Sequence, residues 1–304
     1  MVVLVGPTGV GKSKLVIELA EVFGGEVVSA DSMQVYRHMD IGTAKPTIDE
    51  QKRVRHHLID IVTPDQPFHA GLYQRLGRKT IDQLFRNGKP IWVVGGTGLY
   101  IKTLTQGIFG SPKIDPPIKE RLAQEAKEKG EDFLYQRLKR VDPKTASGLH
   151  PRDLYRTKRA LEVFDSTGIP ISFFREQHHF GDRPYQTLKI GLEMERSALY
   201  HRIEERVDQM IERGFRQEVG RLMGMGYGAE LKPMQSLGYK QMVQFILMEI
   251  GWTEAVRRMK RDTRHYAKRQ WTWFKSDPEI RWRNVSSDRR MIFEEVRSFL
   301  KEGG

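Results

Sequence analysis

Short apolar runs alternate with longer amphipathic stretches along this chain. Val2-Val3-Leu4-Val5, Glu26-Val27-Val28-Ser29-Ala30, Pro90-Ile91-Trp92-Val93-Val94 and Thr187-Leu188-Lys189-Ile190-Gly191-Leu192 are too short for helices, and their near-continuous hydrophobicity predicts buried parallel strands. His56-His57-Leu58-Ile59-Asp60 reads as a further buried strand. Helical spacing follows in Leu15-Val16-Ile17-Glu18-Leu19-Ala20, in residues 69–87 closed by Asn87-Gly88 and Pro90, from Leu99, and in Leu199-Tyr200-His201-Arg202-Ile203-Glu204-Glu205-Arg206-Val207. Strands alternating with helices predict an α/β fold, a parallel sheet flanked by helices.

From Ser111 to about Pro184 the pattern changes to charged helical segments, with Pro112, Pro116 and Pro117 where it begins and Gly181-Asp182-Arg183-Pro184 where it ends. The expected organisation is a core built from residues 1–110 and 185–304, interrupted by an inserted helical domain over 111–184. No repeat or low-complexity tract interrupts this plan, and Lys301-Glu302-Gly303-Gly304 reads as a frayed end.

The first strand runs into Gly6-Pro7-Thr8-Gly9-Val10-Gly11-Lys12-Ser13, which matches G-x-x-x-x-G-K-[ST] between a strand and a helix. Such a loop turns backbone N–H groups inward at the positive end of a helix, where a phosphate can satisfy them. Lys12 is then expected on the terminal phosphate and the Ser13 hydroxyl on Mg²⁺, in a P-loop NTPase-like fold. The second strand delivers Asp31-Ser32-Met33-Gln34 to the same sheet edge. Asp31 there could accept a proton from an amine, hold Mg²⁺ through water, or cap a turn. The fourth apolar run ends in Gly95-Gly96-Thr97-Gly98-Leu99-Tyr100 with no carboxylate, which counts against ordinary phosphoryl transfer from ATP. Thr97 is either a helix cap or a functional hydroxyl. Lys45, in the turn-rich Asp40-Ile41-Gly42-Thr43-Ala44-Lys45-Pro46, is expected to be available to an anion, and His56 and His57 to be structural.

The 304 residues contain no cysteine, which excludes disulfides, thiolate metal sites and a cysteine nucleophile. No run of about 18 apolar residues and no secretory leader is visible, so a soluble cytoplasmic protein is expected. The formal charge is +12, concentrated after residue 110. A polyanionic partner larger than a nucleotide fits that excess. Between Arg257 and Lys275 eight Lys/Arg stand against one acid. On a helical wheel Arg257, Arg261, Arg264 and Lys268 form one stripe, with Val256, Met259, Tyr266 and Trp273 opposite as a docking side. Arg152, Arg156 and Arg159 are expected along one face of an earlier helix, with Leu154, Leu161 and Val163 inward, and Arg202 and Arg206 stand one turn apart.

Gly6 to Ser13, Asp31-Ser32-Met33-Gln34-Val35-Tyr36, Met39 to Pro46, Gly95 to Tyr100, Arg159-Ala160-Leu161-Glu162-Val163 and Ser236-Leu237-Gly238-Tyr239-Lys240-Gln241 together resemble the bacterial tRNA dimethylallyltransferases, and the resemblance covers nearly the whole chain. It implies transfer of a dimethylallyl group from dimethylallyl diphosphate to the exocyclic N6 amine of adenine 37, beside the tRNA anticodon, with Mg²⁺ as cofactor. It implies Gly6, Pro7, Thr8, Gly9, Val10, Gly11, Lys12 and Ser13 for diphosphate, which Arg206 could also reach if it does not pair with the intervening glutamates, and Asp31, Thr97 and Lys12 for catalysis. For the anticodon stem-loop it implies Asp31 to Gln34, Thr97, Lys119 and the segment Tyr155, Arg156, Thr157, Lys158 and Arg159, to which the basic stripe of Arg257, Arg261, Arg264 and Lys268 adds. Lys119 stands where the family often has arginine, a point charge in place of a planar fork. A monomer is expected. Prenylation of free adenine nucleotides, a small-molecule kinase using ATP in the same loop, and a non-catalytic RNA-binding module are the competing readings.

Overall fold

A computed structural model of the chain describes residues 1–108, 110, 114–178 and 181–302. They divide into two compact units, Met1–Thr105 with Pro184–Gly304, and Gln106–Arg183. The Ser111-Pro112 start of the expected insertion and the Gly303-Gly304 end lie outside the described residues.

In the first unit the order is β1 (Val2–Val5), α1 (Lys12–Phe23), β2 (Glu26–Ser29), α2 (Ile48–Arg53), β3 (His56–His57), α3 (Ala70–Arg86), β4 (Ile91–Val94) and α4 (Gly98–Gln106). The second unit holds α5 (Pro116–Lys129), α6 (Glu131–Val141), α7 (Pro143–Ser147), α8 (Leu154–Thr167) and α9 (Ile171–His178). The first unit resumes with β5 (Leu188–Glu193), α10 (Arg196–Glu212), α11 (Phe215–Gly224), α12 (Tyr239–Ile246), α13 (Trp252–Lys275), β6 (Ile280–Asn284) and α14 (Arg289–Glu302).

All strand pairs are parallel, in the order β3-β2-β4-β1-β5-β6. Successive residues of a strand point to opposite faces, and the central strands are apolar at both. Val2 and Leu4 join Leu15 and Leu19 of α1, Ile203 of α10 and Ile292 of α14 on one face. Val3 and Val5 join Tyr73 and Ile81 of α3 and Leu104 of α4 on the other. Both faces are therefore sealed by helices, and the C-terminal edge of the sheet is left to carry loops. A third apolar cluster, with Val207, Phe215, Met234, Tyr239 and Met259, packs the helices after β5 around Val35 and Met39 of the loop after β2. In the second unit Leu122, Leu134, Leu138, Ala160 and Leu161 form a separate core.

Three expectations change. β3 is only His56–His57 and half-buried, because Leu58 and Asp60 turn into the left-handed region at φ 61 and 54 and end the extended run. β6 was not expected, since Ile280-Arg281-Trp282-Arg283-Asn284 alternates charge with apolar residues as an edge strand does; Lys189 of β5, buried, bonds Asp277 and Glu279 at 2.8 Å just before it. At the end of the chain Lys301 and Glu302 continue α14 as helix.

The loop Asp40–Lys45 is held by two buried charges. Glu218 of α11, 1% exposed, accepts the N–H groups of Asp40 (2.9 Å), Ile41 (2.7 Å) and Gly42 (3.1 Å) and the Tyr239 hydroxyl (2.7 Å). Lys45, expected to await an anion, is instead buried and donates to Asp40 and Asp60 at 2.5 Å and to the Tyr36 carbonyl at 3.0 Å. Its ammonium is spent inside the protein. Glu218→Ala should strand three N–H groups and one hydroxyl and lower stability by about 3–5 kcal/mol, read from denaturant unfolding. A loss below about 1 kcal/mol would mean that the loop is held by other contacts.

Candidate active site

Two glycine loops and one carboxylate turn meet at the C-terminal edge of β1, β2 and β4. After β1 the chain turns through Gly6, at φ 142, where an added Cβ would lie 2.6 Å from the Leu192 carbonyl oxygen; only glycine fits there. The loop then delivers Lys12 and Ser13 to the first turn of α1, which has no side-chain cap. Its N–H groups are the unmet donors that bind anions.

The Lys12 ammonium donates to the Gly6 and Pro7 carbonyls, both at 2.9 Å. Lys12 is half-buried as a residue, and its ammonium is strongly desolvated. That desolvation, aided by the Arg206 charge and opposed by Asp31, lowers its pKa to about 7. Arg206 of α10 reaches the loop and donates to the Thr8 hydroxyl at 3.2 Å. Burial and the charge of Arg213 lower its pKa, and Asp31 opposes the shift. Neither Lys12 nor Arg206 has an ion-pair partner among the described residues. Two desolvated cations without a carboxylate at bonding distance make a site for an anion. Arg202 is exposed and does not line this cavity, although its guanidinium lies beside the glycine loop, 3.7 Å from where a Cβ on Gly11 would stand.

Asp31 takes up one of its expected roles, the closing of a turn. Its Oδ1 accepts the N–H groups of Met33 (2.8 Å) and Gln34 (3.4 Å), which closes the turn after β2. Oδ2 takes no bond from the described residues and remains available. Thr97 stands just before α4 and its carbonyl accepts the Ile101 N–H at 3.2 Å, while its hydroxyl accepts the Ser32 N–H at 3.0 Å and donates to the Ser32 hydroxyl at 3.2 Å, tying the turn after β2 to the loop after β4. Gln34 is held by Ser29 at 3.1 Å and by the Thr43 and Ala44 carbonyls.

Thr8, Lys12, Ser13, Asp31, Ser32, Met33, Gln34 and Arg206 line one cavity of about 370 Å³, a volume typical of small-molecule sites. Met33, Met210, Phe215, Leu237 and Met259 give it an apolar wall. This wall was not anticipated, because it draws on four separated stretches of chain. Tyr266, Arg269 and Gln270 of α13 complete the lining. Gln270 carried a readable signal: it is a neutral polar residue on the buried seam Ala255, Met259, Ala267 and Phe274, 6% exposed. The expected docking side fits less well, since Trp273 is 44% exposed.

The basic stripe is not a row of bare cations. Arg257 pairs with Glu254 at 2.7 Å, Arg261 with Asp262 at 2.8 Å, and Arg264 with Glu204; Lys268 has no ion-pair partner among the described residues. Lys119 is exposed on α5. Arg152 precedes α8 and does not share its face, because Asp153 caps the helix by accepting from the Arg156 N–H. Tyr155 and Arg156 are exposed on that helix, and Arg156 and Arg159 pair with Asp153 and Glu162 at 2.9 Å. Thr157 is 1% exposed and turns into the core of its unit, which removes it as a surface contact. Leu161 and Val163 turn inward as expected. His57 bonds the buried Glu26 at 2.6 Å and is structural.

A family model described as IPP transferase matches residues 34–277. The chain belongs to the IPP transferase family. Its relatives include a tRNA dimethylallyltransferase of Syntrophobacter fumaroxidans, 52% identical over 297 residues, which span 98% of this chain and 87% of that one. A tRNA dimethylallyltransferase 2 of Syntrophus aciditrophicus is 50% identical over 96% of this chain and 94% of its own. Among solved structures, the full-length tRNA isopentenylpyrophosphate transferase of Bacillus halodurans is 37% identical, with a TM-score of 0.74 over 99% of this chain and 96% of its own. A eukaryotic dimethylallyltransferase acting on tRNA superposes with a TM-score of 0.81 at 29% identity, over 94% of this chain and 74% of its own. The family match begins after the glycine loop and Asp31.

The lowered Lys12 pKa generates a pH dependence. An anion bound beside the ammonium raises that pKa, so binding takes up a proton above pH 7, and affinity falls as pH rises from about 7. At pH 8, calorimetry of inorganic diphosphate in buffers of different ionisation heat should record about one more proton taken up by the parent than by Lys12→Met. Equal uptake by both proteins would remove Lys12 from the anion site.

Proposed function

We propose that the chain is a tRNA dimethylallyltransferase, moving a dimethylallyl group from dimethylallyl diphosphate to the N6 amine of adenine 37 beside the anticodon. One observation carries this reading: the unpaired cations Lys12 and Arg206, the free Asp31 oxygen and a methionine-rich apolar wall share a single cavity. The loop and the two cations suit the diphosphate, the apolar wall suits a five-carbon chain, and the carboxylate suits an amine that must lose a proton.

In the reaction the adenine N6 forms a bond to C1 of the dimethylallyl group as the C1–O bond to diphosphate breaks. The N6 proton passes to Asp31 Oδ2, and the electron pair leaves on diphosphate. Backbone N–H groups of Gly9, Gly11, Lys12 and Ser13, with the Lys12 and Arg206 side chains, neutralise the charge that grows on the leaving oxygen. Thr97, bonded to Ser32, keeps the Asp31 turn in register with the loop after β4. The cavity offers hard oxygen donors, the Ser13 hydroxyl and Asp31, and no cluster of three metal-ligating side chains occurs among the described residues. That set fits Mg²⁺, which keeps water and takes few protein ligands. When bound through Ser13 and the diphosphate, Mg²⁺ would add charge neutralisation at the leaving group.

Adenine must leave its stack to reach this cavity, at a cost of a few kcal/mol offset by contacts to the RNA. For those contacts we propose Ser32, Met33, Gln34, Lys119, Tyr155, Arg156, Lys158, Arg159, Arg257, Arg261, Arg264 and Lys268, with the 106–183 unit as an RNA-contacting domain. Arg156 and Arg257 are mostly exposed within their pairs, so phosphates can compete there with Asp153 and Glu254, whereas the Arg159–Glu162 and Arg264–Glu204 pairs are partly buried. The proposed enzyme is a monomer. No helix among the described residues is long and apolar enough to cross a membrane. A cytoplasmic enzyme is consistent with a tRNA substrate.

Incubation with bulk tRNA, Mg²⁺ and labelled dimethylallyl diphosphate should place label on adenine N6 and release diphosphate. Equal labelling of AMP would redirect the reading to free nucleotides. Labelled phosphate from ATP on an acceptor, with no prenyl transfer, would replace it with a kinase.

A further inference from the structure

Gln270 has no assigned role, yet its side chain bridges the two glycine loops. Its Oε1 accepts the Thr8 N–H at 2.8 Å, and its Nε2 donates to the Gly96 carbonyl at 2.9 Å. An amide offers a donor and an acceptor on separate atoms at the end of one uncharged side chain. Gly96 is shaped to receive it: an added Cβ would lie 2.1 Å from Nε2. The loops follow adjacent strands, β1 and β4, which a Gly95 N–H to Leu4 carbonyl bond of 3.3 Å joins at their base. Gln270 joins them again farther out, inside the cavity. Tyr266, one turn earlier on α13, points its hydroxyl toward Gln270 and Thr97.

The bridge completes an unbroken chain across the site. Arg206 bonds Thr8, Thr8 bonds Gln270, Gln270 bonds Gly96, and the next residue, Thr97, bonds Ser32 beside Asp31. We infer that Gln270 is a positioning residue, holding the loop that takes the leaving group at a fixed distance from the turn that carries the base. This rests on the prenyl-transfer reading. It adds that the reacting centres are aligned through α13, the helix that also carries the basic stripe. An alignment error of about 1 Å is enough to cost on the order of a hundredfold in rate, so a single bridge can matter without touching substrate.

Gln270→Met keeps the length and unbranched shape of the side chain and removes both bonds. Single-turnover transfer at saturating dimethylallyl diphosphate and tRNA should fall by about tenfold or more, with tRNA affinity within about twofold of the parent. A residue that only fills the core would lower the melting temperature and leave the saturated rate at low temperature unchanged. A saturated rate within about twofold of the parent therefore overturns the inference. If the methionine variant does not fold, Gln270→Glu, which keeps the acceptor for Thr8 and loses the donor to Gly96, is measured in the same way and must also lose rate. Absence of transfer by the parent protein in this assay would instead refute the prenyl-transfer reading.

Discussion

The site depends on charge that the protein leaves uncompensated. Lys12 and Arg206 are drawn out of water beside each other, and their partners are carbonyls and a hydroxyl, with no carboxylate at bonding distance. Such an arrangement raises the free energy of the empty site, and an anion that enters it recovers the missing interaction. A diphosphate gains most when charge builds on its bridging oxygen, which is the condition for lowering a barrier and not merely for binding. Asp31 is near enough to influence both cations, yet its Oδ1 is committed to the turn after β2 and Oδ2 is not.

The rest of the first unit keeps these groups apart and aligned. Parallel pairing of β1 with β4 and β4 with β2 brings the three site loops to one edge. Helices seal both faces of the sheet, so that edge is where backbone donors meet ligands. Glu218 and Lys45, both buried and fully bonded, fix the loop from Asp40 to Lys45, and Gln34 ties that loop to the Asp31 turn. The apolar wall from Met33 to Met259 then sits between helices that cannot drift independently.

Local placement was legible in the sequence, and partnership through space was not. The glycine loop reads correctly because its strand, turn and helix are contiguous, and Asp31 reads correctly because a short strand delivers it to the same edge. Lys45 looked available because its acids, Asp40 and Asp60, become neighbours only when the loop folds back. The stripe on α13 looked bare because Glu204, the partner of Arg264, stands 60 residues away. β6 escaped notice because an edge strand alternates charge with apolar residues, and β3 looked longer because left-handed backbone at Leu58 and Asp60 leaves no mark in hydrophobicity. Gln270 was hidden among eight cations, although its place on the buried seam of the helix distinguishes it.

The division of labour between leaving-group loop and base is tested most directly at Asp31. Asn keeps the shape of the side chain and its bond to the turn but cannot take the amine proton. Single-turnover transfer by Asp31→Asn should fall about 10²–10⁴-fold, with affinities for tRNA and diphosphate nearly unchanged and no recovery in excess Mg²⁺. A near-normal single-turnover rate would contradict the account, and so would a loss that excess Mg²⁺ restores.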